Sequence, residues 1–280
     1  MLDFNSRSQT STHVNAAIDA AMVARQAATP PRTYLGGSRL GHACERALQF
    51  EFLQAPKDEG AGFDGRILRI FGIGHALEDV AVDWLRAAGF DLYTRKGNRP
   101  DGEQFGFAVA GGRIRGHVDG ILAGGPAIPG MAFPALWECK TMNAKAWRET
   151  SSKGVPIAKP IYAAQIAVYQ AYMDVTVPGV ADHPALFTAI NKDTAELHHE
   201  LVPFDAALAQ RMSDRAVRVL RACDAGDLLP RGDFNDAPSL PWEEDGATIN
   251  HGAIATFLEV LFGYCDGLIP VRGFVDQGQG

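Results

Sequence analysis

Cysteine is scarce in this chain of 280 residues. The four cysteines are Cys44, Cys139, Cys223 and Cys265, and no two of them have the C-x-x-C spacing of a zinc or iron–sulfur site. We therefore expect no iron–sulfur cluster. Scattered cysteines without a signal peptide are typical of a reducing compartment, so the sequence predicts a cytoplasmic protein.

Long apolar runs are also missing. No stretch approaches the roughly 18 residues that a membrane-spanning helix needs, so no membrane segment is expected. Hydrophobic residues still make up 46% of the chain, which is enough for one main globular domain. We expect a partly disordered, then helical segment over 1–30, the main domain over 31–225, and an acidic loop with a C-terminal helix, packed on that domain, over 226–280.

An overall excess of positive charge is absent, since the net charge is −7. Residues 1–160 hold 19 Lys and Arg against 16 Asp and Glu, net +3, whereas residues 161–280 hold 7 against 17, net −10. Basic residues of the first part could line a groove for phosphates. These are Arg32, Arg39, Arg46, Arg66, Arg69, Arg95, Lys96, Arg99, Arg113, Arg115, Lys145, Arg148, Lys153 and Lys159. We select Arg39, Arg46 and Arg69 as nucleic-acid-binding residues.

Two β-like segments, HVDGIL and ALWECKTM, carry the most informative side chains. Residues i and i+2 of a strand face the same way, so Glu138 and Lys140 project together while Cys139 faces the opposite side. If the two segments pair, Asp119 joins them. Two carboxylates are hard oxygen ligands for Mg²⁺ or Mn²⁺, and an adjacent lysine can hold or polarise a water. An E-x-K triplet also occurs often by chance, as a solvated pair on an amphipathic strand.

Two helical segments add polar pairs at helical spacing. His75 and Glu78 lie at i and i+3 of RIFGIGHALEDVAVDWLRAAGF, and Gln165 and Tyr169 lie at i and i+4 of IYAAQIAVYQAYM. Each pair therefore shares one helical face. The apolar residues of both segments are typical of a protein core, and a Gln and a Tyr can decorate such a helix without any function.

These motifs, in this order, resemble those of the PD-(D/E)XK nuclease superfamily, with Glu138 in place of the second Asp of the motif. They resemble most its RecB-like exonuclease branch, the phage and CRISPR-associated exonuclease type. The resemblance covers roughly residues 38–169 and implies an α/β fold with a restriction-endonuclease-like core, a central mixed β-sheet flanked by helices.

The resemblance also implies roles for individual residues. Metal ligands would be His75, Asp119, Glu138 and the backbone carbonyl of Cys139, and catalytic residues would be Lys140, Gln165, Tyr169 and Glu78. In the family, Gln165 would orient a ligand or phosphate and Tyr169 would contact nucleic acid. Glu78 could ligate a second ion or only accept a hydrogen bond.

A weaker match, GGSRLGHACERALQF, resembles the S-x-L-x-x-C-x-R element of RecB-like nucleases through Ser38, Leu40, Cys44 and Arg46. Ser38 also reads as an N-cap. Some family members use this cysteine in an iron–sulfur cluster that three later cysteines complete. This chain departs from that pattern, which again predicts no cluster.

The order of elements supports an α/β domain. We expect helices over 13–28, 38–53, 66–88, 160–173 and 205–225, with a further apolar helix over 252–266. We expect strands over 105–109, 112–122, 135–141, 186–191 and 196–202, with a long connection over 123–134.

The sequence thus predicts a metal-dependent DNA exonuclease, a hydrolase of phosphodiester bonds using Mg²⁺ or Mn²⁺. By analogy with compact nucleases, it would act in phage or bacterial recombination and repair, beside a single-strand annealing protein. One alternative is a sequence-specific or structure-specific endonuclease on the same fold, although no base-reading element is evident. Another is a non-catalytic DNA-binding assembly protein.

Overall fold

Short runs of apolar and β-branched residues form strands, and the segments between them with helical periodicity form helices. Together they produce a mixed α/β fold. The structure, a computed structural model, describes residues 9–57, 62–98 and 102–230. The α-helices are α1 (Gln9–Ala27), α2 (Glu45–Leu53), α3 (Gly65–Ala87), α4 (Ala144–Lys153), α5 (Val155–Ala158), α6 (Pro160–Met173) and α7 (Ala206–Ala225). The strands are β1 (Leu35–Gly36), β2 (Asp91–Tyr93), β3 (Gly106–Val109), β4 (Ile114–His117), β5 (Gly120–Gly124), β6 (Ala135–Met142), β7 (Ala185–Asn191) and β8 (Leu197–Val202).

The larger sheet has the strand order β2-β5-β6-β7-β8. Strands β6 and β7 are parallel, and the other neighbours are antiparallel. The central strand β6 is buried along most of its length, and β7 is buried throughout. This burial explains why both strands are nearly continuous apolar runs, as expected of strands covered on two faces.

Helices cover the two faces of this sheet. On one face Ala81 and Leu85 of α3 pack against Trp137 and Cys139 of β6. On the other face α6 joins Leu136 and Phe187 in the main core, which α7 closes from outside. Because neighbouring residues of a strand point to opposite faces, Glu138 faces α6 and Cys139 faces α3.

A smaller sheet of order β1-β4-β3 lies beside the first. Its strands β1 and β4 are parallel, and β3 and β4 are antiparallel. The inner face presents Phe107 to the rings of Tyr169 and Tyr172 on α6, with ring centroids 5.4 and 4.9 Å apart. The smaller sheet is therefore anchored on the helix that also covers Glu138.

Local signals fix several helix ends. The Asp64 side chain accepts a hydrogen bond of 2.7 Å from the Ile67 amide at the start of α3, and Asp205 does the same for Leu208, at 2.8 Å, at the start of α7. Helix α7 ends at Gly226, whose φ of 72° is the left-handed conformation that glycine adopts at helix C-termini.

The predicted helix over 160–173 matches α6, and the helices over 66–88 and 205–225 match α3 and α7 within one residue. The prediction of one strand over 112–122 was wrong, because the chain bends at Asp119 and leaves the smaller sheet for the larger. The prediction of a helix over 38–53 was also wrong at its start. Residues 37–39 form a 3-10 turn, and α2 begins only at Glu45.

Two glycines, Gly37 and Gly41, explain why the helix does not begin at residue 38. An added Cβ at Gly37 would lie 2.8 Å from the rings of Phe107 and Tyr169, and one at Gly41 would lie 2.8 Å from Ala164. The segment is therefore pressed against α6 and β3 in a conformation that a regular helix does not provide. Ser38 belongs to this turn and is not the N-cap of α2.

The predicted acidic loop and C-terminal helix lie outside the described residues from 231 onward, as do residues 1–8 of the N-terminal segment. Within the described ranges, no helix is long and apolar enough to cross a membrane.

Candidate active site

The pairing of β5 with β6 brings Asp119 to the E-x-K triplet. Gly120 lies opposite Trp137 in the antiparallel register, so the preceding Asp119 reaches the next residues of β6. Its Oδ2 accepts a hydrogen bond of 2.8 Å from the Cys139 amide. The bend at Asp119 therefore places its carboxylate beside residues 138–140, while β5 and β6 stay paired.

Glu138 is a fully buried carboxylate, with an exposed fraction of 0%. Its Oε1 accepts hydrogen bonds from Lys140 Nζ and from Gln165 Nε2, the latter at 2.6 Å. Its Oε2 is buried and has no hydrogen-bond partner among the described residues. A buried carboxyl oxygen without a partner is costly, so this atom is a candidate position for a further ligand.

Lys140 lies on the same face of β6 as Glu138, as the strand alternation predicted. Its Nζ is 3.8 Å from Asp119 Oδ2, donates a hydrogen bond of 3.2 Å to the Cys139 carbonyl, and lies 5.5 Å from the centre of the Tyr162 ring. Burial alone would lower the pKa of Lys140, but the Glu138 and Asp119 carboxylates raise it above its ordinary value. The amine is therefore an ammonium at neutral pH.

Two carboxyl groups of the site have strongly raised pKa values. Burial, with the neighbouring Asp119 charge, raises the pKa of Glu138 to about 8 although Lys140 opposes this. Burial and the same aspartate raise the pKa of Glu78 to about 7, again against Lys140. Three carboxyl groups, those of Glu78, Asp119 and Glu138, thus lie near one lysine, Lys140. Carboxyl groups with pKa values raised in this way are common at functional sites.

A cleft of about 450 Å³ opens beside Asp119. It is lined by the residues His75, Glu78, Asp79, Val82, Asp83, Arg86, Thr94, Arg95, Gln104 and Asp119. The structure therefore brings two of the predicted residues on α3, His75 and Glu78, to the same opening as Asp119.

The predicted metal ligands do not converge as a closed set. No three His, Cys, Asp or Glu side chains within residues 9–57, 62–98 and 102–230 are placed to hold a metal ion. The sheet explains this, because Glu138 faces α6 while His75 belongs to α3 on the opposite face. His75 and Asp119 both line the cleft, whereas Glu138 is not among its lining residues.

Gln165 and Tyr169 both lie on α6, but they face different neighbours. Gln165 binds Glu138, whereas Tyr169 is 3% exposed, packs on Phe107 and hydrogen-bonds with Ser38. Burial raises the pKa of the Tyr169 hydroxyl above its ordinary range. In this arrangement Tyr169 supports the site from within the core.

The three arginines selected for nucleic-acid binding each have an internal partner. Arg39 forms a two-pronged ion pair with Glu51, at 2.6 and 3.1 Å, and Arg69 pairs with Asp19. Arg46 Nε donates a hydrogen bond of 2.5 Å to the Leu229 carbonyl.

Sequence reasoning missed the polar wall of the cleft. Asp79, Asp83 and Arg86 follow His75 at helical spacings of four, eight and eleven residues along α3. That periodic polar stripe, opposite the apolar one, was the available signal. Tyr162, whose ring faces Lys140, gave no such signal because it reads as one more aromatic residue on a buried helix.

The donor set nonetheless fits a hard divalent cation. Among the described residues the Glu138 Oε2 atom has no hydrogen-bond partner, Asp119 contributes a second carboxylate, and the Cys139 carbonyl accepts a hydrogen bond from the same Lys140. Oxygen donors of this kind suit Mg²⁺ or Mn²⁺, and a cation there would reduce the mutual repulsion of the acidic groups.

Comparison with known proteins adds little. No protein-family model and no curated protein matches the chain. Similar solved structures include an alkaline exonuclease, LHK-Exo, from Laribacter hongkongensis, with a TM-score of 0.46, 16% identity, and 75% of this chain and 93% of that chain covered.

The same enzyme in complex with dAMP has a TM-score of 0.45, 16% identity and the same coverage. The protein SSO0001 has a TM-score of 0.42 and 14% identity, with 74% of this chain and 86% of that chain covered. Similarity at this level carries no argument about function, so the residues of the site carry it alone.

Proposed function

We propose that this chain is a metal-dependent nuclease of the PD-(D/E)XK superfamily, from its RecB-like branch, with a restriction-endonuclease-like core. In this proposal it hydrolyses phosphodiester bonds of DNA as an exonuclease. Asp119, Glu138 and the Cys139 carbonyl would hold Mg²⁺ or Mn²⁺, with His75 and Glu78 at the outer edge of the same site.

One observation carries the proposal. The Glu138 carboxylate is fully buried, has one oxygen without a partner, and shares its neighbourhood with the Asp119 carboxylate and a single lysine. A purely structural ion pair would satisfy both oxygens and would not gather a second carboxylate. The grouping of carboxyl groups with raised pKa values is explained if a divalent cation is part of the working site.

The chemistry follows from the residues around these carboxyl groups. A bound divalent cation polarises the phosphate and lowers the pKa of a coordinated water. Lys140, held as an ammonium, would orient the attacking water and stabilise negative charge on the phosphate. It would not act as the base in the protonation state that the structure favours.

Two further residues would prepare this arrangement. Gln165 donates to Glu138 Oε1 and so fixes the carboxylate in the orientation that leaves Oε2 available. Glu78, with a pKa of about 7, can take up or release a proton near neutral pH at the rim of the cleft.

The preference for exonuclease action is an inference from the sequence. No segment reads as a base-recognition element, which favours tracking of a strand by its backbone from a free end. DNA is the proposed partner, together with a single-strand annealing protein in recombination or repair.

The test is a degradation assay with end-labelled linear DNA and covalently closed circular DNA, each with Mg²⁺, Mn²⁺ or EDTA. We expect progressive shortening of the linear DNA with metal and survival of the circle. Lys140→Ala should abolish cleavage and retain DNA binding, and Lys57→Ala, at an exposed lysine after α2, is the matched control.

Each alternative has its own outcome in this assay. Discrete, repeatable fragments from the circle would replace the exonuclease with an endonuclease. Absence of cleavage on all substrates, with DNA binding intact, would favour the assembly protein. Cleavage by Lys140→Ala at the rate of Lys57→Ala would overturn the mechanism.

A further inference from the structure

The outer face of the smaller sheet carries exposed positive charge that the candidate active site does not use. Arg32 and Arg115 are exposed, and the guanidinium carbons lie 5.3 and 5.2 Å from the centre of the Tyr34 ring. We call these three residues the arginine–tyrosine cluster. Such cation–π contacts orient guanidinium groups without neutralising them.

The charges of this cluster are uncompensated, unlike those nearby. Arg113 is paired with Asp224, at 2.6 Å, and Arg39 is paired with Glu51. Across the described ranges, no carboxylate lies within ion-pair distance of Arg32 or Arg115. The Arg115 side chain donates a hydrogen bond of 2.8 Å to the neutral Gly112 carbonyl.

The strands around the cluster leave space above it. Arg115 lies opposite Gly36 on β1 and Ala108 on β3, and neither neighbour has a side chain that could cover it. An added Cβ at Gly36 would lie 2.7 Å from Arg32 Nη1, so this glycine is what allows Arg32 to lie across β1. The two arginines are exposed and not enclosed, which suits an extended polyanion better than a small enclosed anion.

The cluster is also close to the candidate active site along the chain. Arg115 precedes Asp119 by four residues, a separation that cannot exceed about 14 Å. Exposed His117 lies between them on the same side of β4 as Arg115. Phosphates of one DNA strand follow each other at about 3.4 Å along the helix axis, so this distance corresponds to about four nucleotides.

We propose that the arginine–tyrosine cluster is a backbone-binding subsite that holds phosphates of the DNA strand a few nucleotides away from the bond at Asp119 and Glu138. Arg32 and Arg115 contact the phosphates, and Tyr34 acts as a positioning residue that holds both guanidinium groups. This inference rests on the proposed nuclease function, and it names the part of the DNA that the subsite takes.

The first test measures binding of a fluorescein-labelled oligonucleotide, in EDTA, at several salt concentrations. The double variant Arg32→Gln with Arg115→Gln should lower the slope of log affinity against log salt by roughly 1.4–1.8, the value for two lost phosphate contacts. The control, Arg25→Gln with Arg211→Gln, removes two exposed arginines of α1 and α7 and should keep the wild-type slope. Equal slopes for the two double variants would overturn the subsite.

The second test separates positioning from charge. Tyr34→Ala leaves the net charge unchanged and should weaken binding about two- to fivefold, the size of one or two exposed cation–π contacts. Tyr34→Phe keeps the ring and should bind as the wild type does. Wild-type affinity in Tyr34→Ala, with an unchanged melting temperature, would remove the role assigned to the ring.

Competition distinguishes DNA from free phosphate. Inorganic phosphate, at the same phosphate concentration as an unlabelled oligonucleotide, should displace far less of the labelled DNA. Equal displacement by the two competitors would overturn the assignment to a DNA backbone.

The inference and the proposed function fail separately. Wild-type protein that binds DNA through the cluster but never cleaves it would contradict the function alone. Protein that cleaves DNA while the cluster variants bind normally would contradict the subsite alone.

Discussion

Glu45 and Glu138 are both carboxylates held against basic side chains, but their surroundings differ in the amount of positive charge. Glu45 Oε1 receives Arg215 Nε at 3.2 Å and Arg218 Nη2 at 2.6 Å. Burial alone would raise the pKa of Glu45, but hydrogen bonds from Arg218 and Arg215 lower it below its ordinary value. Glu138 has one lysine, a neighbouring Asp119 and a pKa of about 8.

The comparison distinguishes Glu45, whose carboxylate supports the fold, from Glu138, whose carboxylate we propose as a metal ligand. Glu45 joins α2 to α7 through two arginines, Arg215 and Arg218. Glu138 has only Lys140 within ion-pair distance among the described residues, and its Oε2 has no hydrogen-bond partner there. Four predictions test this difference, in decreasing order of expected effect.

The largest effect should come from neutralising each carboxylate in turn. Glu138→Gln should lower the cleavage rate at least roughly 10²-fold while leaving stability equal or higher, because the wild type must either protonate or bury the charge of this carboxyl group on folding. Glu45→Gln should keep the cleavage rate and lose roughly 1–2 kcal/mol of stability. Cleavage kinetics and urea unfolding of both variants measure the contrast, and a Glu138→Gln protein with normal cleavage would refute it.

The second effect concerns the metal. Mn²⁺ or Mg²⁺ should stabilise the wild type by about 2.7 kcal/mol at a concentration of roughly 100 times the dissociation constant. Glu45→Gln should respond in the same way, and Glu138→Gln or Asp119→Asn should respond little. Thermal melts with metal and with EDTA measure the shift. The assignment of ligands would be wrong if all four proteins gained the same stability. Metal analysis of purified protein should find no stoichiometric iron.

The third effect is a pH dependence of opposite sign at the two sites. Because the pKa of Glu138 rises from near 4.5 to about 8 on folding, the folded state binds more protons between these values. The stability of the metal-free wild type should therefore fall as pH rises through this window. The lowered pKa of Glu45 has the opposite sign, so its contribution is present above about 4.5 and is lost as pH falls further.

Unfolding free energies measured in EDTA, from well below the ordinary pKa of Glu45 to above the pKa of Glu138, test the third prediction. Glu138→Gln should flatten the loss toward high pH and leave the loss toward low pH intact. The reverse result would show that another group causes the change.

The smallest effect compares two buried glutamines of α6. Gln165 donates to Glu138, whereas Gln170 donates to the His183 carbonyl at 2.9 Å. Replacing either with alanine should cost about 1 kcal/mol of stability. Only Gln165→Ala should also shift the pH profile of cleavage and lower its rate, by about tenfold or less. Identical pH profiles in the two variants would show that Gln165 has a structural role only.

Much of the layout was accessible from local pattern. Strand alternation correctly predicted that Glu138 and Lys140 share a face, and the helical period and the flanking Pro160 predicted the bounds of α6. The bend at Asp119 was not predictable in the same way. The Asp119–Gly120 dipeptide is a turn signal within residues 112–122, but the sequence does not state that the strands on its two sides join different sheets.

Distances across the sheet were also beyond the sequence. Spacing alone placed His75 and Glu78 on one face of a helix, but it could not state which face of the sheet that helix covers. The unpartnered Oε2 of Glu138 depends on the packing of α6 against β6, which is a tertiary property. Roles assigned to single residues remain predictions for the same reason.

The buried thiol of Cys139 can report on local opening of the candidate active site. Its side chain points into the core beneath α3, and burial together with the Asp119 charge raises the pKa of its thiol far above the ordinary range. A thiol that is neither ionised nor accessible reacts with alkylating reagents only when the elements that cover it move apart. The rate of Cys139 alkylation therefore measures how often α3 separates from the strand that carries Glu138 and Lys140, without an engineered cysteine.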